Sequence, residues 1–150
     1  MRFRPNHLFF LLLLALPALT GCGGDDGSSR TATTATTTAL PALARSPRAP
    51  GEIVLTGDAS PATHGPYTFH GRYLVRFEQY APEDPNLDFT SQTPLTAALT
   101  RREGDTAGAI KLFQTAARRG RRALTIRGRY LVDVSFGDFP YVIRFTPRRG

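Results

Sequence analysis

Apolar and polar side chains alternate along several stretches in the last two thirds of this chain. Tyr73, Val75 and Phe77 alternate with Arg76 and Glu78, and Leu95, Ala97 and Leu99 with Thr96 and Ala98. Tyr130, Val132, Val134 and Phe136 alternate with Leu131, Asp133 and Ser135, and Tyr141, Ile143 and Phe145 with Val142 and Arg144. A period of two puts one set of side chains on each face of a strand, so these stretches predict half-buried antiparallel strands. Turn-forming residues separate them: Gly57-Asp58, Gly65-Pro66, Pro82 to Asn86, Gly104-Asp105, Gly120 and Gly137-Asp138. Ala107 to Arg119 is ambiguous, with Ile110, Leu112 and Phe113 spaced between helix and strand. A strand followed by a basic loop is the expectation there. Seven or eight short strands predict an all-β fold, a small antiparallel β-sandwich or jelly-roll-like domain over residues 51–150.

One segment recurs. Thr68-Phe69-His70-Gly71-Arg72-Tyr73-Leu74-Val75 returns as Thr125-Ile126-Arg127-Gly128-Arg129-Tyr130-Leu131-Val132. Two copies at this separation do not make a solenoid. Each copy is read as ending one strand, turning at Gly where a positive φ costs little, and beginning a central strand. A common β-turn-β solution, reached twice, accounts for the match more simply than duplication of half the domain.

The start of the chain has a different pattern. Arg2 and Arg4 precede an uncharged apolar run, Leu8 to Leu16, which Leu19-Thr20-Gly21-Cys22 closes. Basic start, apolar run and small-residue end form a secretory signal. Pro17 interrupts residues 8–19, and the uninterrupted apolar part falls short of the ~20 residues of a bilayer-spanning helix. Its last four residues resemble the lipobox of bacterial lipoproteins, in which a Cys after Gly is lipidated and becomes the mature N-terminus. The resemblance implies residues 1–21 as a lipoprotein signal peptide and Cys22 as the lipidated residue. Cys22 is the only Cys of the chain, so it has no intramolecular disulfide partner, and lipidation accounts for a lone exported thiol. A single acyl chain anchors only marginally. Lipoproteins of the resembled class carry two or three, which makes attachment effectively permanent.

Residues 22–50 read as a tether. Gly23, Gly24, Asp25, Asp26, Gly27, Ser28 and Ser29 lead into a Thr/Ala tract from Thr31 to Ala39, then Pro41, Pro47 and Pro50. Few side chains here are both apolar and larger than Ala, so little offsets the entropy of ordering them. Coil scaling of about 5 to 6 Å × √n places the domain roughly 30 Å from the lipid. The Thr tract is also a composition on which O-linked sugars occur.

Anchor, tether and domain together resemble a type common in secreted bacterial proteins. In it a Gly-x-Tyr strand near the end is followed by a Gly-Pro-Trp-like corner and a last alternating strand. Gly128-Arg129-Tyr130 and Gly137-Asp138-Phe139-Pro140-Tyr141 are the corresponding pieces, with Tyr141 where Trp is usual. The resemblance implies a fold and brings no catalytic residue.

Charge divides the domain. Residues 51–100 hold two Arg against six acids, a net of −4, while residues 101–150 hold eleven Arg and Lys111 against four acids, a net of +8. Arg118, Arg119, Arg121 and Arg122 bracket Gly120 and are the candidate anion-binding residues, joined in sequence by Arg127, Arg129, Arg148 and Arg149. Anionic lipid head groups, acidic glycopolymers and acidic proteins are the envelope partners such a patch attracts. Nucleic acid is not expected, because the arginines lack the interleaved aromatics of a single-strand platform.

Other chemistry is sparse. Asp84, Asn86 and Asp88 have the spacing of the first EF-hand ligands, but Phe89 stands where that loop needs Gly and Leu95 where it needs the bidentate Glu. A complete EF-hand is therefore excluded, although a simpler Ca²⁺ loop is compatible with the spacing. Gly-x-Ser-x-Gly, His-Glu-x-x-His, Cys-x-x-Cys and P-loop patterns are absent. His64 and His70 are too loosely placed for a metal pair, and nothing favours joining either to Ser60, Ser91 or Ser135 as a nucleophile. The expectation is a non-catalytic binding or adaptor lipoprotein without metal or cofactor, on the outer face of the cytoplasmic membrane or in the outer membrane where one exists. A purely structural surface lipoprotein is the alternative, and a hydrolase with an unrecognised site a more distant one.

Overall fold

The structure, a computed structural model, describes residues 40–58 and 60–149. They belong to one compact unit, Thr36–Gly150. Six strands form one antiparallel sheet: β1 (Ile53–Gly57), β2 (Ala62–Gln79), β3 (Leu95–Thr100), β4 (Ile110–Thr115), β5 (Arg119–Phe136) and β6 (Tyr141–Pro147). Their order is β1-β6-β2-β5-β3-β4. The fold is all-β and sandwich-like, as the alternation predicts. Among the described residues the only α-helical turn is α1 (Ala42–Arg45).

Strand length departs from the expectation of many short strands. β2 and β5 are 18 residues each and pair with one another from Ala62↔Val134 to Glu78↔Arg119. Gly71 and Gly128, read from sequence as turns, lie inside these strands at φ +130° and +114°. They bend the ribbon without reversing it, because cross-strand pairing continues on both sides. β6 and β1 extend one half of the ribbon, through Tyr73–Gln79 of β2, and β3 and β4 extend the other, through Leu131–Phe136 of β5. The two flanks face each other: the Phe77 and Phe113 rings, from β2 and β4, lie 4.4 Å apart.

The repeated segment occupies the middle of this arrangement. His70 pairs with Arg127, Thr68 with Arg129 and Arg72 with Thr125, so each copy lies antiparallel to the other about the His70–Arg127 pair. Exchanging β1 with β4, β2 with β5 and β3 with β6 reproduces the strand order read from the opposite edge. Ile53 and Leu55 of β1 stand at the same separation from Ile110 and Leu112 of β4 as Thr68 from Thr125. The domain thus has an internal two-fold relation, which the eight-residue match alone did not reveal. Each half contributes its third strand to the other half's flank, so neither closes a core by itself.

Inward positions are buried as the period of two requires. Tyr73, Val75, Phe77, Leu95, Ala97, Leu99, Tyr130, Val132 and Val134 are all within the core. Phe69 anchors its centre, with the rings of Tyr73 at 5.3 Å and Phe145 at 5.1 Å. Such tilted or edge-to-face pairs contribute about 0.5 to 1.5 kcal/mol each beyond the burial of area. The core and the six strands of the described residues lie within the compact unit, Thr36–Gly150. Phe136 breaks the pattern and is 61% exposed. The ladder to β3 shifts register between Thr96 and Ala97, and this puts Phe136 opposite Thr96 on the outer face.

Residues 40–50, counted with the tether on sequence, lie against the outer face of the sheet as a strap. Arg144 of β6, outward by alternation, is completely buried beneath it. Its guanidinium donates to the carbonyls of Leu43, Ser46 and Pro47, each at 2.9 Å, and to Glu52 Oε2 at 2.5 Å. Burial by itself would raise the Glu52 carboxyl. Hydrogen bonds from Thr146, Ala49 and Arg144, with the Arg144 charge, hold it below its ordinary value.

Candidate functional site

The four arginines singled out on sequence are not a loop. β5 begins at Arg119, so alternation governs the segment and separates its members. Arg119 and Arg121 face outward opposite Glu78 and Arg76. Arg122 points to the other face and donates to the Lys111 carbonyl of β4 at 2.7 Å. Arg118, in the turn before β5, donates to the Pro85 carbonyl at 3.1 Å and lies over the Phe89 ring at 5.8 Å. Gly120 is required for packing: a Cβ there would meet the Phe77 ring.

The ribbon brings other basic residues to Arg119 and Arg121. On the outer face of β2 and β5 the cross-strand pairs from Glu78 to Thr68 are Glu78–Arg119, Arg76–Arg121, Leu74–Ala123, Arg72–Thr125, His70–Arg127 and Thr68–Arg129, and Thr63–Asp133 follows beyond the register shift at His64/Tyr67. Their neighbours Phe69, Tyr73, Ile126 and Tyr130 are buried, which fixes this set as the outward one. From Glu78 to Thr68, six arginines and one histidine thus share a stripe with one carboxylate, that of Glu78. At about 3.3 Å per residue the stripe runs roughly 30 Å. Only two ion pairs occur among the described residues, Arg76–Glu52 at 3.4 Å and Arg144–Glu52. Arg72, Arg119, Arg121, Arg127 and Arg129 therefore present their charge without a carboxylate partner in the described structure. Arg72 and Arg76 were not among the residues expected from sequence; the signal that finds them is the repeat, which places its two copies side by side.

Both ends of the stripe are concave. A cavity of about 470 Å³ opens between the strap and the ribbon, where Arg76, Arg119 and Arg121 meet Ala42, Leu43 and Ser46. At the other end a cleft of about 430 Å³ is lined by Pro66, Arg101, Arg129, Tyr130 and Leu131, with Arg101 over the Tyr130 ring at 5.5 Å.

The remaining sequence candidates take local structural roles. Asp84 Oδ1 accepts from the Asn86 N–H, and Asp88 caps a 3-10 turn, Phe89–Ser91, by accepting from the Thr90 N–H and hydroxyl. Those bonds from Thr90 hold the Asp88 carboxyl below its usual range. Among the described residues no group of three or more His, Cys, Asp or Glu is arranged to hold a metal. A 2.8 Å hydrogen bond joins His64 Nε2 to the Tyr141 hydroxyl. Burial lowers the His64 pKa, and burial, with Asp58 and Asp133, pushes the Tyr141 hydroxyl up to about 12. Ser91 donates to the Asp88 carbonyl and Ser135 to the Asp133 carboxylate, so neither hydroxyl is directed at a histidine. His70 lies exposed on the basic stripe. Cys22 and the expected signal peptide fall outside the described residues.

No protein-family model matches the chain and no curated protein matches it, so geometry and chemistry carry the reading of this face.

Proposed function

We propose that this protein is a lipid-anchored extracytoplasmic lipoprotein whose β domain is a non-catalytic binding module, holding an anionic component of the cell envelope along the outer face of β2 and β5. The observation that carries the reading is the stripe of six arginines with a single carboxylate among them. A solvated surface of mixed sign attracts nothing in particular, whereas one sign of charge extended over roughly 30 Å attracts an extended anion or an anionic surface. The lipobox-like Leu19-Thr20-Gly21-Cys22 supplies the anchor in this reading and keeps the face within reach of the envelope.

Two measurements test it. A clickable fatty acid fed to cells should label the wild-type protein and leave Cys22→Ser unlabelled; an unlabelled wild type removes the anchor. The unlipidated domain, residues 36–150, should bind anionic vesicles or acidic glycopolymers at low salt and release them as salt rises, since attraction between exposed charges is confined to about 8 Å at physiological ionic strength. A domain that ignores both at low salt is a structural decoration of the membrane surface and not a binding module.

A further inference from the structure

We propose that the cavity between the strap and the β2–β5 ribbon is a site for the phosphate headgroup of an anionic phospholipid. This rests on reading the stripe as an anion-binding face, and it assigns one end of that face a discrete, stoichiometric ligand.

The argument begins with a like-charge pair. Arg76 and Arg121 stand directly opposite one another on adjacent strands, an arrangement that is unfavourable when nothing lies between the charges. Arg76 Nη2 reaches Glu52 and Thr146 on its β6 side, which leaves its Nε buried with no hydrogen-bond partner. Arg121 has no ion pair among the described residues, and Arg119, the next outward residue of β5, has none either. The one carboxylate in the lining, Glu78, has an oxygen engaged by the Leu43 N–H at 3.1 Å. Three guanidinium groups around one cavity, two of them with no carboxylate partner among the described residues, match an oxyanion carrying several acceptor oxygens.

The opposite wall is mainly apolar, with Ser46 at its end, and fixed. Ala42 and Leu43 line it, held in place by the four hydrogen bonds of Arg144 to the strap and Glu52. A free phosphate has no use for such a wall. A phosphate ester with glycerol and the first acyl carbons attached covers it, and the cavity of about 470 Å³ is large enough for a headgroup and its proximal chain.

A short-chain phosphatidic acid, kept below its micelle concentration, is the probe. Added to residues 36–150 and followed by the arginine Nε–Hε signals in NMR, it should saturate at one molecule per domain and shift Arg76 and Arg121. Arg121→Gln should weaken binding about tenfold or more, the loss expected when one charge-assisted contact is removed. Ala42→Trp, which puts an indole into the cavity and leaves every charge in place, should weaken it similarly. Lys111→Gln, an equal change of charge on β4, should leave it unchanged. Inorganic phosphate should bind far more weakly, and equal binding by it would overturn the lipid assignment. The site is also overturned if Arg121→Gln and Ala42→Trp bind like the wild type. Sedimentation with anionic vesicles, run in parallel, separates the two levels: vesicle binding without monomer binding removes the cavity site and leaves the stripe, while failure of both removes both.

Discussion

Arg144 and the arginines of the stripe are the same residue type in outward positions of adjacent strands, and they differ in what lies over them. The strap covers Arg144, whose charge is matched by Glu52 and whose Nη hydrogens are taken by three carbonyls and a carboxylate. Nothing in the described structure covers Arg127 and Arg129, and no acid lies against them. A buried guanidinium needs partners for its charge, and the Nη groups of Arg144 take theirs from distant segments, so the residue becomes part of the fold. An exposed one adds little to stability and remains free to meet a ligand. Arg76 stands between the two, 36% exposed and bonded to the same Glu52.

The largest expected effect comes from breaking the buried side of this comparison. Arg144→Met takes the closest cation from Glu52, leaves three strap carbonyls without their donor and should cost about 3 to 5 kcal/mol, read as a fall in denaturation midpoint. A loss below 1 kcal/mol would mean that the strap is dispensable and that Arg144 differs little from its exposed neighbours.

Acid should act on the same clamp. The Glu52 pKa is lowered in the folded protein, so its contribution is present above the unfolded value near 4.5 and is lost as pH falls through the folded one. Thermal melts between pH 6 and pH 3 should therefore show a drop at the acid end, and Glu52→Gln should flatten it. An unchanged slope in that variant would move the acid sensitivity elsewhere.

A smaller effect tests whether the Arg118–Arg122 segment is strand, as the structure has it, or loop. Gly120→Ala puts a Cβ against the Phe77 ring and should destabilise by about 1 to 3 kcal/mol, the range for overpacking. In a solvated loop the same change would be neutral. Smallest in stability is the stripe itself: Arg127→Gln with Arg129→Gln should shift stability by no more than about 0.5 kcal/mol while weakening polyanion binding and its salt dependence. Arg118→Gln with Arg122→Gln removes equal charge off the face and should weaken binding less. Equal effects from the two pairs would mean that net charge, and not the stripe, governs attraction.

The side-chain pattern alone identified the fold class and the inward residues of β2, β3, β5 and β6, because alternation is a local property that each strand carries in its own order of residues. It misplaced Phe136, since the register shift that turns this ring outward is made with Thr96 on another strand. It also broke β2 and β5 at Gly71 and Gly128, because a glycine that bends a strand and one that ends it look alike until the cross-strand partner is known. The arginines around Gly120 were recognisable as a basic cluster, but their division between two faces depends on β5 beginning at Arg119. Gathering Arg72, Arg76, Arg127 and Arg129 beside them required the antiparallel pairing of the repeat.

Arg144 marks the limit of what the order of residues in a strand can say. Its outward direction follows from Tyr141, Ile143 and Phe145 pointing inward, and the same alternation predicts the all-β domain around it. Its burial depends on the Leu43 carbonyl, 101 residues away in the chain. Periodicity states which way a side chain points. Only tertiary structure decides what lies over it, because the covering segment is brought there by long-range packing and hydrogen bonding that no local pattern encodes.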